Sequence, residues 1–284
     1  MSKSGRHFFV VTPVLNGKKF LQAALASIDA QTCGNWTHYV VDGGSTDATL
    51  DIIRKSLEVQ PRRHLIQGRD RGLYDAVFKG FAAIEAGGMT DGDICLWLNA
   101  DDCLAPWAFA TMQLAFDIYN ADWITGLPGR WDAEGRLALV EPNGWYPRWF
   151  IAQGWFNICC LGSIQQESTF FTARLLRRLS PASKEQICRT RLAGDFLLWR
   201  EFARFSPLCS APTVIGGFRL HDSNLSIGGT DRLIGELRAH GAVTMPRDIA
   251  RIVRFLYRIV AAIVASMRTR YPLAPRDKNP KRDM

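Results

Sequence analysis

Two kinds of apolar pattern alternate along the first hundred residues. Short runs rich in β-branched and aromatic side chains, FFVVTPV at 8–14, HYVVD at 38–42, HLIQG at 64–68 and DICLWL at 93–98, predict four strands. Between them the apolar positions move to helical spacing. Phe20, Leu21, Ala24, Leu25 and Ile28 mark a helix within 17–31, a second covers 47–59 with Ser45 or Thr46 as cap, and a third covers 72–86. Strand and helix in turn predict a mainly parallel sheet with right-handed crossovers. Ligands of such sheets bind beyond the carboxyl ends of the strands. Thr12–Pro13, Asp42, Gly68–Arg71 and Asp101–Asp102 all fall there, along one edge of the sheet.

Beyond the fourth strand the pattern loosens. It predicts a helix over 105–120, a strand at 121–126, a hairpin at 131–140 turning at Glu134–Gly135, a strand at 163–171, a helix at 191–205 and a last strand at 212–221. Residues 141–164, rich in Trp, Gly and Pro, read as loop with short elements. Near the end, Ile249, Ile252, Val253, Leu256, Val260, Ile263, Val264 and Met267 recur at helical spacing, with Arg251, Arg254 and Arg258 between them and Arg268 and Arg270 beyond. A basic amphipathic helix of this kind can lie in a membrane interface, pack on the body or form a dimer contact. The expected division is a main α/β domain over 1–230, a helical extension over 231–270 that can touch a membrane, and a disordered tail over 271–284.

Composition sharpens this in three ways. The 284 residues are 47% hydrophobic and 22% charged, enough for a large packed core and unlike a disordered chain. The net charge of +8 is uneven: Pro246 to Met284 carries +7, so the body is almost neutral, the basic pI says nothing about the body binding nucleic acid, and no nucleic-acid partner is expected. The seven cysteines are odd in number, lie mostly in apolar runs and form no CxxC pair, which excludes a disulfide framework or zinc ribbon and fits a reducing compartment. Cys159–Cys160 reads as adjacent buried thiols. The start, MSKSGRHFFVVTP, has neither the apolar core nor the cleavage site of a signal peptide, and no window approaches the ~18 uncharged apolar residues of a membrane span. A cytoplasmic protein is expected, able to sit peripherally on the inner face of a membrane.

The strand ends carry the candidate chemistry. In ICLWLNADDC, five apolar residues run into Asn99, Ala100 and two adjacent aspartates. Two carboxylates, diphosphate oxygens and water make an octahedral site for Mg²⁺ or Mn²⁺; the other reading is that one aspartate caps the following helix. Asp42, followed by two glycines, can accept hydrogen bonds from a nucleobase or ribose, or can simply shape an Asp-Gly turn. An NAD site is disfavoured, because TPVLNGKKF has one glycine and a proline where GxGxxG is required. Arg69 and Arg71, around Asp70, can meet phosphate, or can form a solvated charge cluster.

Taken together, TPVLNGKKFLQAALASIDAQT, VVDGGSTDAT, RDRGLYDAVFKG and WLNADD, in this order and spacing, resemble the family 2 glycosyltransferases of the GT-A fold over residues 8–230. The resemblance implies an α/β domain with a mainly parallel central sheet flanked by helices, here followed by the C-terminal amphipathic helix. It implies a nucleotide-sugar donor (UDP-, GDP- or dTDP-linked) lying across the sheet edge, with Asp42 on the base and Thr12 and Pro13 lining the pocket. Arg69, Asp70, Arg71 and Asp101 would also meet the donor. Asp101 and Asp102, as ADD in place of a literal DxD, would hold the metal, with His221 of FRLHDSNLS near it. RLAGDFLLWREF resembles the family's late acidic motif and makes Asp195 the implied catalytic base; many relatives have an acidic pair where this chain has Gly194–Asp195. SIQQESTFF resembles the segment on the acceptor side, so Gln165, Gln166 and Glu167 would meet sugar hydroxyls. The absence of QxxRW beside membrane helices implies single addition of a sugar to a saccharide or lipid-linked acceptor, by inversion. A nucleotidyltransferase would carry a glycine-rich basic first loop, which TPVLNGKK fits poorly. A non-catalytic homologue would have little use for Asp42, Asp101, Asp102 and Asp195 together.

Overall fold

The computed structural model describes residues 5–142, 144–222, 224 and 228–270, and side chains as far as 264. The expected tail 271–284 lies outside the described residues. Four parallel strands, β1 (Phe8–Val14), β2 (Trp36–Asp42), β3 (Arg63–Gln67) and β4 (Ile94–Trp97), alternate with α1 (Leu21–Asp29), α2 (Thr49–Val59) and α3 (Leu73–Ala86). The register sets Val14 beside Asp42 and Asp42 beside Gln67, so these strands end together on one edge.

The second half extends the same sheet. Its elements are β5 (Cys103–Leu104), α4 (Ala108–Tyr119), β6 (Trp123–Trp131), β7 (Leu137–Val140), α5 (Arg148–Ala152), β8 (Thr169–Thr172), α6 (Ala173–Leu176), α7 (Pro181–Arg189), α8 (Gly194–Phe205) and β9 (Cys209–Arg219). Among the described residues these form one nine-stranded sheet, ordered β3-β2-β1-β4-β8-β6-β9-β5, with β7 hairpinned onto β6. β8 runs antiparallel to both β4 and β6, so the mixed half joins the parallel half at β4. The α/β class with a mainly parallel leading sheet therefore holds.

Alternation along the strands sorts the core into two layers. Phe8, Val10, Ile94, Leu96 and Phe170 face Ala24, Ile28, Phe109, Met112 and Phe116 of α1 and α4. Val11, Cys95, Trp97, Trp123 and Phe171 face Val77, Phe81, Trp199 and Phe202 of α3 and α8. The Trp199 ring stacks on Trp97 at 5.6 Å and on Trp123 at 5.7 Å, which pins α8 across β4 and β6.

Two expectations, on the strand at 163–171 and on the paired thiols, need correction, and the helical extension gains detail. Residues 163–171 are not one strand: a 3₁₀ turn, Gln166–Ser168, precedes β8. Side chains take over the ladder there, with Gln165 accepting from Gly129 N at 2.8 Å and donating to Gly129 O at 2.6 Å. The extension over 231–270 is two helices, α9 (Thr230–Ala239) and α10 (Arg247–Arg270), split where Gly241 takes φ +73° and Pro246 follows. α9 also buries Leu237 in the main core. Of the adjacent thiols only Cys160 is buried. The pattern did not predict α7, although Ser180 caps it through Ser183 N and Pro181 opens it. Among the described residues no helix is long and apolar enough to cross a membrane.

α3 lies tightly on β1 because residue 80 has no side chain. A Cβ at Gly80 would meet the two methyls of buried Val11 at 2.5 and 2.7 Å. Gly80→Ala gains helix propensity but overpacks this seam, and should lower stability by about 1–2 kcal/mol net. The midpoint of urea unfolding checks this; an unchanged or raised midpoint would show the seam to be loose.

Candidate active site

The rim of the sheet is shaped by turns that tie one strand end to the next. Asp42 is 1% exposed, and its carboxylate accepts from Gly44 N at 3.1 Å and Ser45 N at 3.2 Å. Asn16, with φ 53°, joins this turn to the end of β1: its side chain accepts from Thr46 N at 2.9 Å, and its N–H donates to Ser45 Oγ at 2.9 Å. Thr12 and Pro13 are both buried in β1. The Thr12 hydroxyl lies 2.9 Å from Nε2 of buried His38, whose Nδ1 accepts from Arg63 at 3.1 Å. Burial first, and then the Arg63 charge, push the His38 pKa well down, so the imidazole is neutral and donates to Thr12. Thr12 thus sits inside the sheet, and its side chain is not part of a pocket wall.

Asp70 fills the space beside Gly43, where any side chain would collide with its carboxylate. Burial raises its pKa, against the N–H of Gly72. Arg69 is exposed, with its stem 3.8 Å from where a Cβ of Gly44 would be. Arg71 turns away: its guanidinium binds Asp75 at 2.9 Å and Glu185 of α7 at 2.9 Å. It clamps α3 to α7, and the expectation that it meets phosphate does not fit that pairing.

The two adjacent aspartates occupy different environments. Asp102 is fully buried; Oδ1 accepts from Arg219 N at 2.9 Å and Oδ2 from Asn99 Nδ2 at 3.1 Å. Burial, then the carboxylates of Glu167 and Asp101, push its pKa well up. Glu167, also buried and facing Asp102, is raised by burial and by the charges of Asp195 and Asp101. The buried pair therefore favours holding a proton between its members. Asp101 has a side chain 33% exposed, with Oδ2 3.1 Å from Nε2 of His221. His221 in turn packs against Phe20, ring centres 4.3 Å apart.

Among the described residues no three His, Cys, Asp or Glu side chains converge as a ready cation cage. Asp101 and His221 offer two adjacent donors, Asp101 open to solvent and His221 Nε2 also 3.0 Å from Asn224 Nδ2, which would have to turn away from a bound ion. That fits a hard cation that takes its remaining ligands from phosphate oxygens and water. Asp102, spent on Arg219 and Asn99, fits a supporting role under Asp101.

The acceptor-side candidates are also spoken for. Gln165 is bound to Gly129. Gln166 accepts from Asn99 Nδ2 at 3.3 Å and donates to Trp97 O, and Glu167 faces Asp102. They build the wall beneath the aspartates, and the polar atoms expected to meet sugar hydroxyls are engaged within the protein.

Asp195 lies in the first turn of α8. Burial pushes its pKa up to about 6, against hydrogen bonds from Phe196 N and its own N–H and the nearby Tyr74 hydroxyl. The segment before it is held from α9, where Glu236 accepts from the N–H groups of Arg191, Leu192 and Ala193 at 2.9–3.1 Å. Burial alone would raise Glu236, but those donors and Arg232 keep it below its ordinary value. Tyr74 and Glu236 escaped sequence reading. Tyr74 stood on a recognised helix as an apparent core residue, and Glu236 lay on an extension thought separate.

The chain belongs to glycosyl transferase family 2, whose model matches residues 9–166. Over 98 residues it is 40% identical to a PGL/p-HBAD biosynthesis glycosyltransferase of Mycobacterium bovis, covering 34% of this chain and 36% of the relative. Over 110 residues it is 34% identical to the O-antigen biosynthesis protein RfbC of Myxococcus xanthus, covering 38% of this chain and 8% of that protein. The chain thus matches little more than a third of the length of the mycobacterial relative. The fold is that of GT-A glycosyltransferases. S. aureus TarS 1–349 in complex with UDP-GlcNAc superposes with a TM-score of 0.57 at 15% identity, over 88% of this chain and 71% of that one. The mannosyltransferase PcManGT from Pyrobaculum calidifontis, in complex with GDP-Man and Mn²⁺, gives 0.57 at 16%, over 94% and 76%.

The two aspartates should separate by stability. Asp102→Ala strands the buried Arg219 N–H and should cost about 1–3 kcal/mol, whereas Asp101→Ala should stay within about 0.5 kcal/mol of the parent. Chemical denaturation at pH 7 checks the pair; equal midpoints would contradict the division of roles.

Proposed function

We propose that the protein moves a sugar from a nucleoside-diphosphate donor to an acceptor hydroxyl with inversion at the anomeric carbon. The observation that carries this is Asp195: a buried carboxylate on a helix pinned over the sheet edge, with its pKa pushed up to about 6. A base of that strength is ionised at neutral pH and still basic enough to take a hydroxyl proton. The acceptor oxygen then attacks from the face opposite the diphosphate. Tyr74, whose hydroxyl donates to Leu192 O at 3.2 Å beside Asp195, fixes the start of the helix that carries the carboxylate. Asp42 and Asn16 fix the turn that receives the nucleoside, and exposed Arg69 lies beside Gly44 of that turn.

Asp101 and His221 would hold Mg²⁺ or Mn²⁺, and the imidazole favours Mn²⁺. Bound there, the cation would offset the negative charge gathering on the departing diphosphate. Two fold relatives solved with UDP-GlcNAc, and with GDP-Man and Mn²⁺, support the donor class. Relatives named for PGL/p-HBAD and O-antigen biosynthesis support a saccharide or lipid-linked acceptor. A lipid-linked acceptor suits a cytoplasmic enzyme touching the inner face of a membrane through 247–270.

Release of UDP or GDP from a panel of sugar nucleotides, with and without Mn²⁺, tests the reaction class. Turnover should vanish on chelation and return with Mn²⁺, and Asp101→Ala should demand more metal. Activity indifferent to chelation would remove the metal from the account, and pyrophosphate release would indicate nucleotidyl transfer instead. With the acceptor present, kcat/KM should rise through pH 6 as Asp195 loses its proton and level off above it. Asp195→Asn should slow transfer by about 10²–10⁴-fold while leaving donor binding near parental; normal turnover by this variant would sink the assignment.

A further inference from the structure

α10 has two apolar faces, and only one of them is used. Val253 and Tyr257 pack on the core, Ala250 and Ala261 are buried, and Tyr257 stacks parallel to Trp145 with ring centres 6.2 Å apart. Arg254 donates to Cys160 O at 2.9 Å and Ile158 O at 2.9 Å, and Arg258 pairs with Glu141 at 2.6 Å. Those contacts fix the rotation of the helix about its own axis. The rest of its apolar surface is left outside: Ile249, Ile252, Phe255, Leu256, Ile259, Val260 and Ile263 are each 44–64% exposed. At 100° per residue they fill one continuous stripe about 140° wide and about 21 Å long.

Charge indicates what covers it. Flanking the stripe, about 40° round the helix from Phe255, Arg251 is exposed and has no carboxylate partner among the described residues. The chain from Pro246 onward carries +7 against a nearly neutral body. A second copy would bring the same positive segment against itself. An anionic lipid surface supplies both an apolar layer for the stripe and a phosphate for Arg251.

We propose that α10 lies in the plane of an anionic bilayer surface, with Phe255, Ile252, Ile259 and Ile263 sunk among the acyl chains and Arg251 on a lipid phosphate. This deepens the membrane contact suggested above by naming the lipid charge and the embedded face. Because the opposite face is fastened to the body through Tyr257, Arg254 and Arg258, the lipid contact also sets the orientation of the whole domain. The helix is thus a rigid keel, unlike a tether on a loose linker.

Vesicle sedimentation of the full chain tests this, with neutral phosphatidylcholine vesicles and vesicles containing phosphatidylglycerol, and with no sugar donor present. The readout is therefore independent of the transferase reading. Binding should require the anionic lipid and weaken with salt. Phe255→Glu with Ile259→Glu should cut partitioning by more than about tenfold, and Arg251→Glu by about fivefold or more. These positions are exposed, so circular dichroism and the thermal midpoint should remain parental, and Arg251→Lys should retain binding. Three results would overturn the proposal: no binding to anionic vesicles, equal binding by the folded Phe255→Glu/Ile259→Glu variant, or a stable dimer in sedimentation velocity that the same substitutions dissociate.

Discussion

The Trp199 sandwich is the contact on which the geometry of the site depends. Its ring lies between Trp97 of β4 and Trp123 of β6, so one side chain joins the parallel half of the sheet to the mixed half. Asp195 is one helical turn before it on the same face of α8. Two residues after Trp97 the chain reaches Asn99 and the aspartates, and the carbonyl of Trp97 accepts from Gln166. Carboxylates nearly a hundred residues apart in sequence are thereby referred to one aromatic stack. Stacked pairs of this kind add about 0.5–1.5 kcal/mol each beyond the area they bury, and they also restrict sliding and rotation.

Adjacent carboxylates at the end of a hydrophobic strand raise an electrostatic problem, and the fold solves it by treating them unequally. Asp102 is withdrawn from water and held by Asn99 and the backbone of Arg219, and its neighbour Glu167 favours a shared proton. Asp101 keeps its solvent access and its contact with His221. A site with one buried, partly neutralised acid beneath one open acid carries less repulsion than two open ones, yet still presents a carboxylate to a cation.

The parallel half was legible because period and punctuation agree there: short β-branched runs, helical spacing between them, and a polar residue at each strand end. Asp42, Asp101, Asp102 and Asp195 could be singled out, since carboxylates at strand ends and helix starts stand against apolar surroundings. What the sequence hid is non-local. Gln165 replaces strand ladder bonds with a side-chain amide, which no periodicity reports. Arg71 looked like a phosphate ligand because its partner, Glu185, lies more than a hundred residues away on a helix the pattern missed. Glu236 serves a backbone segment over forty residues before it. Thr12 was misplaced because sheet register, not composition, decides which way a strand residue points.

Gly194 links the helix start to α3. A Cβ there would lie 2.6 Å from the Tyr74 ring, which occupies the volume a side chain would need. The ring is not idle, since its hydroxyl donates to Leu192 O just before Asp195. A second acid at 194 and an aromatic ring at 74 therefore exclude each other. The two positions are coupled by packing: a side chain at 194 requires a smaller one at 74, and removing the ring alone leaves the helix start hollow.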